Sequence, residues 1–274
     1  GEEDCNGVID EIHARGNASF EFADKKPFSI RLHEKTSVLG MEESKKWVLV
    51  ANAFDETLSR NTIVTEMAKA MDMAFVPESE YVDLYIDGEY QGNYQIYEKV
   101  EIADGRVEIR DLDKEMKDIN PNVDFEKLHS VEEEAGRFSA IKYLQIQNVP
   151  KDASDGYLLE LDTTFRYSGE KCGFVSSRQQ PVVVKGPEGV NREQVLNLAT
   201  RYQYLEDALH SVNGYNEQTG LYYYDYLDIN SFAQKYLLEE ISKNLDANVS
   251  SFFIYVPEGD GKFYAGPVWD YDKT

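Results

Sequence analysis

Three aspartates near the end of the sequence flank a segment with the pattern of a β-hairpin. Residues 250–268 contain two runs of aromatic and β-branched residues around a loop rich in Pro and Gly. Asp246 precedes the first run, whereas Asp270 and Asp272 follow the second. Because paired strands lie about 4.8 Å apart, the pattern predicts that these carboxylates meet at one end of the hairpin. Carboxylates grouped in this way can hold a divalent cation or accept a proton.

The order of these features also suggests a specific arrangement. A helix, an aspartate, a hairpin and a second aspartate is the order by which protein kinases place a catalytic base beside a metal-binding carboxylate. A less specific interpretation is that Asp246 caps a helix end or a turn and that Trp269 belongs to the core. Taken alone, this part of the sequence favours the second interpretation.

The length and net charge of the chain limit the kinds of molecule that it can bind. The chain has 274 residues, enough for one large domain or two lobes, and a formal net charge of −23. No run of Lys or Arg is long enough to neutralise a phosphate backbone, so nucleic acid is excluded as a partner, and an anionic membrane surface would repel the chain. The sequence contains no stretch of about 20 apolar residues, so no membrane span is predicted. An acidic surface favours a secreted or cell-surface protein, and such a chain needs metal ions and cations to bind a nucleotide triphosphate.

Local patterns predict a small sheet with a single helix in the first part of the chain. The elements are strands at 27–32 and 47–51, a helix at 55–71 capped by Asp55, and a hairpin over 81–97 with an Asp87-Gly88 turn. Further along, 155–162 and 180–185 are predicted as strands, and 193–210 and 230–244 as helices. Cys5 and Cys172 could form a disulfide or remain free thiols.

Nine short motifs follow one another along nearly the whole chain. They are residues 15–19 (RGNAS), 25–32 (KKPFSIRL), 45–52 (KKWVLVAN), 60–61 (RN), 88–94 (GEYQGNY), 98–99 (EK), 156–162 (GYLLELD), 242–246 (SKNLD) and 266–272 (GPVWDYD). In this order they resemble the CotH family, the spore-coat-H-like atypical protein kinases. The resemblance implies ATP and Mg²⁺ or Mn²⁺ as cofactors, and phosphate transfer to Ser or Thr of a protein substrate.

The resemblance also implies an α+β fold of the divergent, two-lobed protein-kinase-like type. Residues 1–101 would form a small nucleotide-binding lobe, a sheet with one helix. Residues 102–274 would form a large catalytic lobe, mostly helical with a β-hairpin, and 98–102 would form the hinge between the lobes. The family pattern continues beyond Asp272, so the large lobe is expected to be incomplete at its C-terminal end.

Roles for the acidic cluster follow from the same resemblance. Asp246 would orient the acceptor hydroxyl and take its proton. Asp270 would hold the metal, with Asp272 in support, because oxygen ligands together with phosphate and water suit a hard cation. Typical kinases carry an Asn five residues after the base, but Ser251 stands there, which makes Asn248 the nearest replacement as a metal ligand.

The cofactor-binding residues predicted on the phosphate side are Arg15, Ser19, Lys26, Glu66 and Glu98. Arg15 and Ser19 lie where kinases have a glycine-rich turn, and Arg15 would replace part of the missing backbone cradle by its charge. Lys26 leads into a strand and is the first choice for contacting phosphate.

The other cofactor-binding residues are assigned only by their position in the sequence. Arg31 and Lys46 are rivals of Lys26. Glu66 lies on the predicted helix, where kinases keep an acidic partner for the lysine, and Glu98 begins the hinge.

Two other functions remain open from the sequence. The chain could be a non-catalytic adhesin or an assembly module of a surface or coat structure, which the loss of the glycine-rich turn favours. Metal-dependent hydrolysis would use the same carboxylates, but no residue is identifiable that would position the water. A secreted bacterial protein, a cell-surface protein or a spore-coat protein would each fit, and the sequence leaves the oligomeric state open.

Overall fold

The α+β fold is organised around two antiparallel sheets, one of five strands and one of seven. A computed structural model describes residues 4–16, 18–247 and 250–274. Cys5 is exposed and Cys172 is buried, and both are free thiols. Within the described part of the chain, no helix combines the length and the apolar character needed to cross a bilayer.

The five-stranded sheet is formed by the first part of the chain. Its strands are β1 (Ile9–Ala14), β2 (Phe28–Thr36), β3 (Ser44–Val50), β4 (Ser79–Ile86) and β5 (Glu89–Glu98), in the spatial order β1-β2-β3-β5-β4. Helix α1 (Ala18–Phe22) joins β1 to β2, and α2 (Arg60–Ala70) joins β3 to β4. The predicted β4–β5 hairpin is confirmed, and both Asp87 and Gly88 have the positive φ that its two-residue turn requires.

Helix α2 begins later than the sequence predicts. Asp55 does receive backbone N–H groups, but they belong to Thr57 and Arg60, so its carboxylate closes a turn and then caps a helix that starts at Arg60. Val64 and Ala68 of α2 are buried against residues from the C-terminal part of the chain. The helix therefore lies between the first sheet and the aspartates near the end of the sequence.

The seven-stranded sheet comes from the rest of the chain. Its strands are β6 (Ser130–Ala135), β7 (Phe138–Leu144), β8 (Tyr157–Leu161), β9 (Gly173–Val175), β10 (Pro181–Gly186), β13 (Phe252–Val256) and β14 (Tyr264–Ala265), in the order β14-β13-β8-β10-β9-β7-β6. A separate pair, β11 (Tyr215–Asn216) and β12 (Leu221–Tyr222), lies outside it. The helices of this part are α3 (Leu112–Ile119), α4 (Thr164–Tyr167), α5 (Arg192–Leu209), α6 (Tyr223–Tyr226) and α7 (Ile229–Ser242), with a 3₁₀ turn at Phe125–Lys127.

The expectation of a mostly helical second part is wrong. The predicted hairpin exists as β13–β14, but it is one edge of a large sheet in which β13 pairs with the interior strand β8. Tyr157, Leu158 and Leu159 of β8 are fully buried, which is typical of a strand covered on both faces. Helix α5 covers one face through Val195 and Leu198, which are buried in the main core.

Candidate active site

A cavity of about 580 Å³ lies between the two sheets. Val50 and Tyr97 line it from the first sheet, and Glu160 and Phe253 line it from the second. The segment that contains Asp270 forms a further part of its wall. Its volume is within the range of about 300–1,000 Å³ that is common for small-molecule sites.

Asp246 reaches this cavity from the end of α7. The helix ends at Ser242, Lys243 follows with a positive φ of 57°, and the chain then turns so that the Asp246 carbonyl accepts from the Ser250 N–H at 3.1 Å. The Asp246 carboxylate faces the cavity, where Lys273 Nζ lies 3.0 Å from its Oδ2 atom. The turn after α7 and the C-terminal segment thus bring a carboxylate and an ammonium group together in the cleft.

Asp270 and Asp272 lie on the opposite side of the hairpin and line the same cavity. Asp270 has a φ of +69°, an unfavourable region for a residue with a side chain, and its Oδ2 accepts from Ser251 Oγ at 3.3 Å. Asp272 is buried, and burial raises the pKa of its carboxyl to about 7, with a further increase from the charge of Asp270. A cation between these two carboxylates would offset the unfavourable free energy of ionising Asp272 in this buried position.

The donor set fits a hard divalent cation that is only partly held by protein. Asp270 and Asp272 offer carboxylate oxygens, and Mg²⁺ commonly takes one or two of these together with phosphate and water oxygens. Among the residues that the structure describes, no group of three or more acidic, His or Cys side chains forms a complete metal cage. Asn248, the predicted amide ligand, lies outside the described residues.

Arg15 and Ser19 line the cavity on the side of the first sheet. The Arg15 guanidinium lies 5.5 Å from the centre of the Trp269 ring. Burial lowers the pKa of Arg15, and the carboxylates of Asp270 and Glu160 oppose this shift. A Cβ atom on Gly16, whose φ is +86°, would come within 2.3 Å of Ser19 Oγ, so the single glycine of this loop is required for its tight path.

Two lysines that sequence reasoning did not select also line the cavity. Lys99 directly follows β5, and although its side chain is exposed at the surface of the cleft, partial desolvation there lowers its pKa, with the charges of Lys185 and Arg15 among the smaller causes. Lys185 lies 3.1 Å from Glu170 and 3.5 Å from Glu160. Although burial lowers it, the pKa of Lys185 is raised overall by these carboxylates. The only sequence signal for Lys185 is a single charge at the end of an apolar run.

The end of β8 adds two buried acids that were likewise not selected. Glu160 and Asp162 line the cavity, and burial raises the pKa of both carboxyls. The Glu160 carboxylate accepts from the Ser251 N–H at 3.2 Å, which ties β8 to the segment between Asp246 and β13. Both residues belong to the 156–162 motif of the sequence, but the motif did not indicate a role for them.

Three predicted residues do not reach the cavity. Lys26 donates instead to the Phe20 carbonyl at 2.6 Å. Glu66 is on the exposed side of α2, paired with Lys69 at 3.1 Å. Glu98 is buried behind the cavity and accepts from the Glu78 N–H at 3.0 Å.

Strand alternation explains the position of Glu98, because Tyr97 and Lys99 on either side of it line the cavity. The rivals Arg31 and Lys46 are also engaged elsewhere, in ion pairs with Glu11 at 3.6 Å and Glu101 at 3.0 Å.

The residues of α2 that line the cavity are Asn61 and Thr65, whereas the sequence suggested Glu66. Asn61 Nδ2 donates to Asn52 Oδ1 at 2.8 Å, and Asn52 Nδ2 donates to Gln95 Oε1 at 3.1 Å. Asn61 Oδ1 accepts from the Tyr271 N–H at 2.8 Å. Neutral amides therefore connect the first sheet, α2 and the segment that carries Asp270 and Asp272.

Comparison with known protein families assigns nearly the whole chain to one family. The sequence profile of the family described as CotH kinase protein matches residues 12–274, which is nearly the whole chain. A search of curated proteins finds no match.

Proposed function

Because the chain belongs to the CotH family, we propose that it is an atypical protein kinase that transfers the γ-phosphate of ATP to Ser or Thr of a protein. The observation that carries the proposal is the composition of the central cavity. Three aspartates, Asp246, Asp270 and Asp272, line one cavity together with Arg15, Lys99 and Lys185. Phosphoryl transfer needs this combination of metal-binding carboxylates and cations more than it needs covalent help from the protein.

The proposal includes a two-lobed architecture. Residues 1–101 would be the nucleotide-binding lobe and residues 102–274 the catalytic lobe, with the substrates between them. In support, the five-stranded sheet ends at Glu98, the seven-stranded sheet begins at Ser130, and the cavity is lined by both. The second lobe of this proposal is built around a sheet, in contrast to the helical lobe that the sequence suggested.

Asp270 and Asp272 would hold Mg²⁺ or Mn²⁺. Bound there, the ion and its nucleotide would supply the phosphoryl group and neutralise charge on the phosphate oxygens. The high pKa of Asp272 supports this assignment, because a nearby cation would favour its ionised form.

Asp246 would act on the protein substrate. It would orient the acceptor hydroxyl and take its proton while the hydroxyl oxygen bonds to the γ-phosphorus and the ADP oxygen leaves. Lys273, which lies 3.0 Å from Asp246, would have to release one carboxylate oxygen for this step.

The cations on the other side of the cavity would hold the phosphates. Arg15 and Lys99 replace Lys26 in this role because they line the cavity and Lys26 does not. The lowered pKa values of Arg15 and Lys99 support an anion as their partner, because a nearby negative charge would stabilise their charged forms. Family membership supports a coat or cell-surface protein as the acceptor, in a secreted or spore-coat setting.

A calorimetric titration with ATP and either Mg²⁺ or Mn²⁺ tests nucleotide binding, and labelled γ-phosphate tests transfer to the chain itself or to a casein-like acceptor. We expect metal-dependent binding and transfer in the wild type. Asp270→Asn should weaken metal-dependent nucleotide binding, whereas Asp260→Asn in the exposed loop of the β13–β14 hairpin should behave as the wild type. Absence of nucleotide binding with both metals would remove the kinase proposal.

The second candidate is a non-catalytic adhesin or coat-assembly module. Two observations favour it. The loop that carries Arg15 and Ser19 has a single glycine, Gly16, where kinases have a glycine-rich turn. The contact between Asn52 and Asn61 is a neutral amide pair, whereas kinases use an ion pair between the sheet and the helix of the small lobe. The same experiment separates the candidates, because a module of this kind would give no phosphate transfer with either metal.

A further inference from the structure

Tyr271 stands between Asp270 and Asp272 in the sequence, and its side chain is only 2% exposed. Its hydroxyl accepts from Lys235 Nζ at 2.6 Å and donates to Glu239 Oε1 at 2.7 Å. Lys235 and Glu239 are one turn apart on α7 and also contact each other at 2.6 Å. The ring of Tyr271 is thus held in a closed polar triad beneath the proposed metal site.

Burying the triad carries a desolvation cost that apolar side chains in the same space would not have. Lys235 is 1% exposed and Glu239 is 8% exposed, so both charges are removed from water. Glu239 Oε2 has no hydrogen-bond partner among the described residues. Apolar side chains of similar volume are often equally or more stabilising than a buried ion pair. What an apolar trio would lack is directional hydrogen bonding, which fixes the position of the Tyr271 hydroxyl.

The backbone around Tyr271 is held from the other direction by α2. The Tyr271 N–H donates to Asn61 Oδ1 at 2.8 Å, and Arg60 Nη1 donates to the Asp272 carbonyl at 3.1 Å. Between α2 and α7, the Tyr271 side chain packs in one apolar cluster with Val64, Ala68, Leu238 and Val268. The same short segment is therefore attached to a helix of each half of the molecule.

The segment needs such attachments because its backbone is strained. Asp270 has a φ of +69°, a conformation that costs about 1–3 kcal/mol for a residue other than glycine and persists only where the surroundings impose it. Without the bonds on either side of Tyr271, the backbone at Asp270 would be free to leave this region. The Asp270 carboxylate would then move relative to that of Asp272.

From these contacts we propose that Tyr271 is a positioning residue that sets the separation of the Asp270 and Asp272 carboxylates, and that α2 and α7 act on metal binding through it. This inference rests on the assignment of Asp270 and Asp272 as metal ligands in the proposed function. It adds three side chains to the machinery, Lys235, Glu239 and Asn61, none of which has to touch the metal or the nucleotide.

Tyr271→Phe is the direct test, because it keeps the ring and removes the hydroxyl. Tyr157→Phe is the matched control: Tyr157 is fully buried, its hydroxyl donates to the Ala153 carbonyl at 2.6 Å, and it belongs to the main core away from the cavity. Each variant loses two hydrogen bonds, because the Tyr157 hydroxyl also accepts from Gln194 Nε2 at 3.2 Å. Binding of Mn²⁺, followed by electron paramagnetic resonance of the free ion, and thermal unfolding are measured for both.

We expect Tyr271→Phe to weaken Mn²⁺ binding by about 10- to 100-fold, the usual effect of losing a group that orients a metal ligand. Tyr157→Phe should lose stability but keep the wild-type Mn²⁺ affinity. Equal affinities in the wild type and Tyr271→Phe, or an equal loss in both variants, would overturn the inference.

Asn61→Ala provides a second test if Tyr271→Phe does not fold, since it removes the bond from the α2 side and should weaken Mn²⁺ binding in the same direction. Unchanged Mn²⁺ affinity in Asn61→Ala would count against the inference. Wild-type protein that binds Mn²⁺ but transfers no phosphate would end the kinase proposal and leave the positioning role standing. Wild-type protein that binds no Mn²⁺, with or without ATP, would overturn both.

Discussion

Lys273 Nζ lies 3.0 Å from Asp246 Oδ2, so the proposed base is paired with a cation of the chain itself. The ammonium group is also 5.3 Å from the centre of the Phe54 ring, which holds it at the mouth of the cavity. Lys273 is the cation of the cavity that pairs directly with Asp246, and its charge also acts on Asp272, so it would compete with a metal ion for these carboxylates.

Removal of that charge should strengthen metal binding. Lys273→Met is expected to bind Mn²⁺ about two- to fivefold more tightly in the absence of nucleotide, because a partly exposed ion pair contributes up to about 1 kcal/mol. Lys243→Met is the control, since it removes an equal charge from an exposed pair with Glu240. Mn²⁺ titration of the two variants tests this prediction. A weaker affinity in Lys273→Met would contradict it and show that Lys273 contributes to metal binding.

Asp246→Asn should separate chemistry from binding. The amide keeps the size and the hydrogen-bonding capacity of the side chain but cannot accept the proton of the acceptor hydroxyl. Turnover is therefore expected to fall by roughly 10²–10⁴-fold while the affinity for metal–ATP changes little. Single-turnover transfer and calorimetric binding should be measured on the same preparation. Full activity in Asp246→Asn would mean that another group acts as the base.

Lys99 is expected to bind phosphate without contributing to stability. The Lys99 side chain is exposed at the surface of the cleft, and partial desolvation there lowers its pKa, so its charge gains little from the rest of the protein. Lys99→Met should weaken ATP binding by at least about 10-fold, as loss of a charged hydrogen bond does, and should not lower the melting temperature. Lys26→Met, outside the cavity, should leave ATP binding unchanged. The reverse result would restore Lys26 as the phosphate-binding residue.

Glu98 should affect the pH dependence of stability. Burial raises the pKa of Glu98 above its ordinary value of 4.5, with Arg106 among the groups that oppose the shift. The folded state thus binds the proton more tightly than the unfolded state, so the stability that this carboxyl contributes is present below the unfolded pKa and is lost as pH rises through the folded pKa.

Glu98→Gln keeps an acceptor for the Glu78 N–H without a charge. It should raise the melting temperature by a few degrees at about pH 7.5 and change it little at about pH 4. Glu66→Gln on the exposed side of α2 is the control. A lower melting temperature of Glu98→Gln at neutral pH would mean that the attraction of Arg106 outweighs the cost of burial.

Local signals in the sequence were sufficient for β2, β3, β4 and β5 of the first sheet, but β1 was not predicted. The Asp87-Gly88 turn defines the β4–β5 hairpin by itself, and the apolar pattern of α2 lies within a single segment. The seven-stranded sheet was not predictable in this way, because β8 pairs with β13 across about ninety residues, as in the Phe253–Glu160 register. No local pattern states which distant strands become neighbours.

The same limit explains which site residues were found. The hairpin pattern placed Asp246 and Asp270 on either side of one short element, and both line the cavity. Lys99 and Lys26 are both single lysines next to a strand, and only Lys99 lines the cavity. Which of the two reaches the cavity depends on the register and direction of the chain, and the positions of charged residues in the sequence do not reveal these. A shift of one residue is enough to change the assignment: Tyr97 and Lys99 line the cavity, whereas Glu98 between them does not.

The amide contacts between Asn52, Asn61 and Tyr271 have a consequence for ionic strength. Salt screens interactions between charges, with a Debye length of about 8 Å at physiological concentration, but it has little effect on hydrogen bonds between neutral groups. The connection from the first sheet through α2 to the aspartate segment should therefore keep its strength in concentrated salt. The alignment of the first sheet, α2 and the aspartate segment should therefore change little with the salinity of the surroundings.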